Sequence, residues 1–247
     1  MGPGHAPLQG TLLGAAPPAL ADAVTFERVH LDRHSWVDVA RGWLLGAETC
    51  FDHLVATVPW RQHRRRLFGE VVTEPRLSRW YRRDDPFPHP VFGPARAALT
   101  SRYGVRFGGF GLNYYRTGRD SVAWHRDTEL RNLHRTLVAV ITLGATRPFL
   151  VRPYRGGSSV DLRPGSGDLL VMGGRAQADW EHCVPKVAAA GPRISATMRW
   201  AAPPARRQSA DSALCSDRSP KASTISPIPR NSAVRPTQMM ISAARAG

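Results

Sequence analysis

Residues 109–129 read GFGLNYYRTGRDSVAWHRDTE. Two runs, Phe110–Tyr115 and Ser121–His125, are rich in aromatic or β-branched residues and are separated by Arg-Thr-Gly-Arg-Asp. That pattern predicts two strands with a turn between them. Four more runs of the same kind follow: Thr136–Leu143, Phe149–Arg152, Asp168–Met172 and Ile194–Trp200. Gly, Pro, Asp and Asn punctuate them, as they do in sandwiches and jelly rolls. Residues 105–202 are therefore expected to form an antiparallel β domain. His125-Arg126-Asp127 closes the second run. In extended chain, residues i and i+2 share a face, so His125 and Asp127 can reach one point together. An imidazole and a carboxylate are two thirds of the 2-His-1-carboxylate face that binds Fe(II) and leaves positions open. His182, in WEHCVPK, is the best candidate for the third ligand. Beyond it, Arg193 and Arg199 are spaced R-x5-R on the last predicted strand, where they could receive a dicarboxylate. A second His-x-Asp, His30-x-Asp32, has no matching partners and reads as a surface feature.

Upstream, residues 25–104 look mixed α/β. Cys50, Leu54, Val55 and Val58 fall at helical spacing and predict a helix over 46–58, and a second is expected over 93–103. Between them, residues 60–85 read WRQHRRRLFGEVVTEPRLSRWYRRDD, a basic run with aromatics interleaved. Residues 1–24, small and proline-interrupted without a basic start, are expected to be a loose arm rather than a signal peptide. Residues 203–247, rich in Ser, Ala, Pro and Arg, are expected to be a disordered basic tail.

The chain has 247 residues, enough for one domain with appendages. Its longest apolar run falls well short of the 18 or so residues that span a bilayer, so no membrane partner is expected. Lys and Arg number 34 against 19 acidic residues, a net charge of +15. Removing the +5 of residues 201–247 and the charge of Asp22 leaves +11 on residues 24–200. Composition alone leaves two sources open for this excess: codon bias toward arginine, or a polyanionic partner whose phosphates match arginine forks. Only Lys186 and Lys221 are lysines, and neither follows a glycine, which excludes a P-loop. HRDTELRN at 125–132 fits a kinase catalytic loop, but no lysine lies upstream and no Asp-Phe-Gly follows. Cys50, Cys183 and Cys215 are scattered and odd in number, which fits a reducing cytoplasm and no disulfide framework.

Several ordered motifs carry a further reading: LFGE (67–70), EPRLSRWY (74–81), LNYYRTGRDSVAWHRDTE (112–129), LGATRPF (143–149), GDLLVMGG (167–174), WEHCVPK (180–186) and PRISATMRW (192–200). Together they make residues 68–200 resemble the AlkB family of Fe(II)/2-oxoglutarate dioxygenases, most closely its DNA-repairing branch. The resemblance implies a double-stranded β-helix (jelly roll) with an N-terminal α/β nucleotide-recognition lid over 25–104. It implies His125, Asp127 and His182 as iron ligands, with 2-oxoglutarate and O2 as co-substrates. Arg193 matches the arginine that pairs with the distal carboxylate of 2-oxoglutarate, and Arg199 the one near its other end. Asn113 and Tyr115 match an N-x-Y that also contacts the co-substrate. Ser195 stands at a co-substrate position where many relatives have Asn, and Met198 where an aromatic is common; both are expected to loosen co-substrate packing. Glu129 matches an acidic residue that touches the damaged base. Arg76 and Tyr81 fall in a motif like the lid, and Phe68 resembles a finger that fills the gap left by a flipped base. Arg61, Arg64, Arg65 and Arg66, with His63, would hold phosphates; without the resemblance, the run fits a solvated charged segment and Phe68 a core residue. The implied activity is oxidative demethylation of N-alkylated bases such as 1-methyladenine and 3-methylcytosine in DNA, with release of formaldehyde. The same chemistry on RNA or protein, or a non-catalytic basic nucleic-acid-binding protein, are the alternatives. No obligate protein partner is implied.

Overall fold

Two antiparallel sheets face one another, and helices cover the outer side of the larger. The computed structural model describes residues 17–201 apart from Phe68, without the side chains of Arg65 and Leu67. Phe68, the side chain of Arg65, Cys215, most of the 1–24 arm and the 203–247 tail thus lie outside the described residues. In chain order the elements are β1 (Ala19–Leu20), β2 (Phe26–His30), β3 (Ser35–Ala40), β4 (Leu44–Leu45), α1 (Ala47–Thr57), β5 (Arg64–Leu67), β6 (Glu70–Thr73), β7 (Leu77–Tyr81) and α2 (Phe92–Tyr103). They continue with β8 (Phe110–Tyr115), β9 (Val122–His125), β10 (Thr136–Gly144), β11 (Leu150–Pro153), β12 (Val160–Asp161), β13 (Leu169–Gly174), α3 (Ala176–Asp179), β14 (Trp180–Val184) and β15 (Arg193–Ala201). The seven-stranded sheet has the order β2-β3-β13-β10-β15-β8-β7, and the four-stranded sheet β12-β11-β14-β9. Both helices and all six predicted strands form, within a residue or two of the expected ends.

Alternation along the long strands divides the apolar residues between two cores. On β15, Ile194, Ala196 and Met198 point outward and pack with Leu137, Ala139 and Ile141 of β10 against Cys50 and Leu54 of α1 and Phe92, Ala95 and Leu99 of α2. On the inner side, Val138 and Val140 of β10 and Leu170 and Met172 of β13 meet Val151 and Val184 of the smaller sheet. Leu54 is fully buried, so its truncation to alanine should cost about 2–5 kcal/mol.

The segment before residue 105 shares the large sheet with the segment after it. β3 pairs with β13 and β7 pairs with β8, so the N-terminal segment supplies three strands of the large sheet. The reason is edge protection: without β2, β3 and β7, strands β13 and β8 would expose long rows of unpaired backbone groups. Asp38 ties this segment down. It is buried, takes two hydrogen bonds from Arg28 at 2.6 and 2.9 Å, and accepts the Tyr103 hydroxyl of α2 at 2.9 Å. Asp32, in the dismissed His-x-Asp, is a turn residue: its carboxylate accepts the amides of His34 and Ser35 and the indole N–H of Trp180. Burial opposes its charge, but these hydrogen bonds prevail and hold its pKa below the usual range.

Candidate metal centre and its pocket

β9 and β14 pair antiparallel so that His125 stands directly opposite His182. Their rings lie 4.3 Å apart, centroid to centroid. Asp127 follows His125 by two residues, and its Oδ1 lies 3.7 Å from His125 Nε2. One donor atom from each of the three residues falls within 4.8 Å of the others. Each is held by its surroundings. His125 Nδ1 is 2.9 Å from the Ala123 carbonyl, which directs Nε2 toward the centre. His182 stacks on Phe149 at 5.5 Å. The Asp127 backbone amide donates to the side-chain carbonyl of Gln177, a fully buried residue of α3.

The electrostatics suit a divalent cation. Burial, with the charge of neighbouring His125, pushes His182 down to about 3, and burial also lowers His125. Both imidazoles are therefore neutral donors near pH 7. Burial works against the Asp127 carboxylate, but the charge of Arg199 and its hydrogen bond hold the pKa below the ordinary range. Two neutral imidazoles and one ionised carboxylate fit a 2-His-1-carboxylate Fe(II) face.

A cavity of about 470 Å3 opens over this trio. β15 lines it with Ser195, Thr197 and Arg199, the face opposite Ile194, Ala196 and Met198. Met198 thus packs in the outer core and does not approach the cavity, which corrects its expected place beside the co-substrate. Arg193 shares the inner face of β15. It is fully buried, and Nη2 donates to Thr142 Oγ1 at 3.2 Å while Nε and Nη1 have no hydrogen-bond partner. Burial, with the charge of nearby Arg147, lowers it to about 10, so it remains a cation. A desolvated cation with two open N–H groups is costly unless an anion is to be received. Tyr115 lies opposite Arg193 and Asn113 opposite Ser195 in the β8–β15 register, and both line the cavity.

At the mouth, Arg199 Nε bonds Asp127 Oδ2 at 2.6 Å and lies 3.4 Å from the half-exposed Glu129. Arg76 also reaches the cavity. Its Nε donates to Asn113 Oδ1 at 3.0 Å and its Nη2 pairs with Glu74 at 3.0 Å, so it sits beside the N-x-Y pair. Tyr81 does not join this group. It packs on Phe110 in the outer core, away from the cavity. The neighbour, Trp80, points inward instead, because successive residues of β7 face opposite sides. Its indole lies over Gly111, where an added Cβ would sit 2.8 Å from the ring, and the guanidinium of Arg199 stacks on it at 4.4 Å. Arg61, Arg64 and Arg66 are exposed at and beside the β5–β6 hairpin, and Arg61 pairs with Ser78 on the free edge of β7.

Trp80, Glu74 and Gln177 were not singled out by the sequence. Alternation within EPRLSRWY could have separated Trp80 from Tyr81 once one residue of β7 was known to face inward. Gln177 carries no sequence signal. Arg147 is a further case: fully buried, it donates to the carbonyls of Thr117, Asp120 and Pro185 and so clamps the turn after β8.

A family profile described as the 2OG-Fe(II) oxygenase superfamily matches residues 111–207. The bovine protein named alpha-ketoglutarate-dependent dioxygenase alkB homolog 3 is 32% identical over 181 residues, covering 65% of this chain and 63% of its own length. The Arabidopsis thaliana protein named DNA oxidative demethylase ALKBH2 is 29% identical over 191 residues, covering 61% of each. The chain therefore spans less than two thirds of the length of these relatives. A solved prolyl hydroxylase from Trichoplax adhaerens, in complex with a hypoxia inducible factor peptide fragment, has the same fold at TM-score 0.51 and 14% identity. That likeness covers 67% of this chain and 83% of the other.

Proposed function

We propose that the chain is an Fe(II)/2-oxoglutarate dioxygenase of the AlkB kind, a reading supported by its likeness to the 2OG-Fe(II) oxygenase superfamily profile and to relatives named alkB homolog 3 and ALKBH2, and that it is an oxidative demethylase of N-alkylated nucleic-acid bases in DNA, 1-methyladenine and 3-methylcytosine among them. The observation that carries this reading is the buried Arg193, with two open N–H groups on the strand face that also lines the His125–Asp127–His182 cavity. Iron held by these three residues would, with 2-oxoglutarate and O2, supply an oxidant for a C–H bond, which no side chain can provide.

The chain's own residues do the rest. Arg193 receives the distal carboxylate of 2-oxoglutarate, and Asn113, Tyr115 and Ser195 flank its path. Arg199 keeps Asp127 aligned and ionised through its 2.6 Å bond. Glu129 offers a carboxylate at the mouth, which favours a base made cationic by methylation. Trp80 offers an aromatic face to a base drawn out of its stack. The hydroxymethylated base then breaks its C–N bond and releases formaldehyde. Arg61, Arg64 and Arg66, exposed at and beside the β5–β6 hairpin, would hold phosphates of the same strand.

The test is direct. Purified protein is incubated with Fe(II), ascorbate, 2-oxoglutarate and an oligonucleotide bearing one 1-methyladenine, and the mass of the oligonucleotide is followed. Loss of one methylene's mass with the wild type, and none with Asp127→Ala, is the expected result. Succinate formed without any change in DNA or RNA oligonucleotides would keep the oxygenase and reject the base substrate.

A further inference from the structure

The molecule holds a second basic cavity that the metal centre does not use. It measures about 310 Å3 and lies between the end of β7, α2 and the start of β8. Arg83, Arg96 and Arg106 line it, with Thr100 and a single carboxylate, Asp84. Six arginines elsewhere, Arg28, Arg41, Arg116, Arg152, Arg163 and Arg175, each hold a carboxylate. None of the three cavity arginines forms an ion pair among the described residues, and Asp84 leaves the cavity with two net positive charges. Arg96 is oriented rather than loose. It donates to the Arg83 carbonyl at 3.3 Å and stacks on Phe87 at 4.6 Å. Arg83 and Arg106 are exposed. Three positive charges gathered around one carboxylate repel one another, and an anion relieves that repulsion.

The cavity's place in the fold points to the anion. Trp80 lines the active cavity, and Arg83 follows it by three residues, a span of at most about 10 Å. Arg106 is two residues from Gly108, whose amide bonds the carbonyl of Arg199, the other residue at the mouth. Arg61 and the β5–β6 hairpin adjoin the opposite end of β7. The β7 edge therefore has arginines at both ends and the mouth between them. We propose that Arg83, Arg96 and Arg106 form a phosphate subsite that grips the nucleic-acid backbone a few nucleotides from the base in the pocket. This rests on the demethylase reading above and assigns the direction in which the strand leaves the mouth.

The experiment measures binding of the full-length chain to a labelled oligonucleotide, without turnover, across a range of salt. Arg83→Gln with Arg106→Gln should weaken binding and reduce the log–log salt slope by about 0.9 on duplex, or about 0.7 on a single strand, for one lost phosphate. Neutral methylphosphonates are then placed one at a time on either side of the lesion. One position should weaken the wild type and leave the double variant unaffected. Arg106→Gln alone, at an exposed site, guards against a folding defect, and Arg83→Lys should keep the slope. An unchanged slope with no position coupled to the variant would overturn the subsite while leaving demethylation in place. A wild type that neither binds nor demethylates nucleic acid would overturn the functional reading and the subsite with it.

Discussion

The backbone amide of Asp127 donates to the side chain of Gln177 at 2.9 Å, fifty residues away in sequence and fully buried. Gln177 sits on α3, immediately before the strand that carries His182, so one short helix couples two of the three metal-binding residues. Its Nε2 reaches the Met172 sulfur at 3.8 Å, which fixes the amide's orientation.

Replacing Gln177 by leucine should strand the Asp127 amide, at a cost of about 1–3 kcal/mol. Iron affinity should fall about 10- to 100-fold, as for other groups that orient metal ligands. Titration of the purified variant with Fe(II) beside a thermal melt measures both. Unchanged affinity would mean that the β9–β14 register alone positions Asp127.

Arg193→Lys keeps the charge but loses the planar fork. Loss of a charge-assisted hydrogen bond is worth about 1.5–3 kcal/mol, so KM for 2-oxoglutarate should rise about 10- to 100-fold while the melting temperature changes little. Co-substrate titrations of succinate formation read this. An unaltered KM would place the carboxylate elsewhere.

Trp80 and Tyr81 should part company. Trp80→Ala removes an indole at the mouth and should weaken binding of a methylated oligonucleotide by about 1–3 kcal/mol, the usual contribution of one stacked base. Tyr81→Ala should act through the outer core, lowering stability and leaving binding near wild type. Anisotropy and chemical denaturation of both variants separate the two effects, and the reverse pattern would reject the inward assignment of Trp80.

Tyr103 gives a pH dependence remote from the metal centre. Burial, together with the nearby Asp38 charge and the hydrogen bond to it, raises its pKa above the ordinary value near 10. A group whose pKa is higher in the fold than in the unfolded chain stabilises the fold below the unfolded pKa, and that stabilisation is lost as pH rises above it. Stability should therefore fall above about pH 10. Tyr103→Phe should abolish that component while losing the hydrogen bond to Asp38. Melting temperatures of both proteins from neutral to alkaline pH test it, and parallel curves would contradict it.

Much of this arrangement is legible in the chain itself. The His-x-Asp spacing in extended backbone puts His125 and Asp127 on one side whatever the rest of the fold does, because the strand repeat is two residues. The same repeat divides β15 into Arg193, Ser195, Thr197 and Arg199 on one face and Ile194, Ala196 and Met198 on the other, and so already places Met198 away from the cavity. Other features needed the tertiary structure. β14 is five residues long, and Trp-Glu-His-Cys-Val does not alternate clearly between polar and apolar. Its register against β9 nevertheless brings His182 opposite His125. β2, β3 and β7 joined the large sheet because its edges needed partners, a demand that no local pattern encodes. Which side of β7 faces the cavity, and hence whether Trp80 or Tyr81 meets a ligand, followed from pairing with β8. So did the gap at Gly111 that admits the indole. Local sequence determined the ligand types and the strand faces, because both depend on residues two apart. The tertiary structure decided which faces meet, because strand register is a long-range choice made by packing.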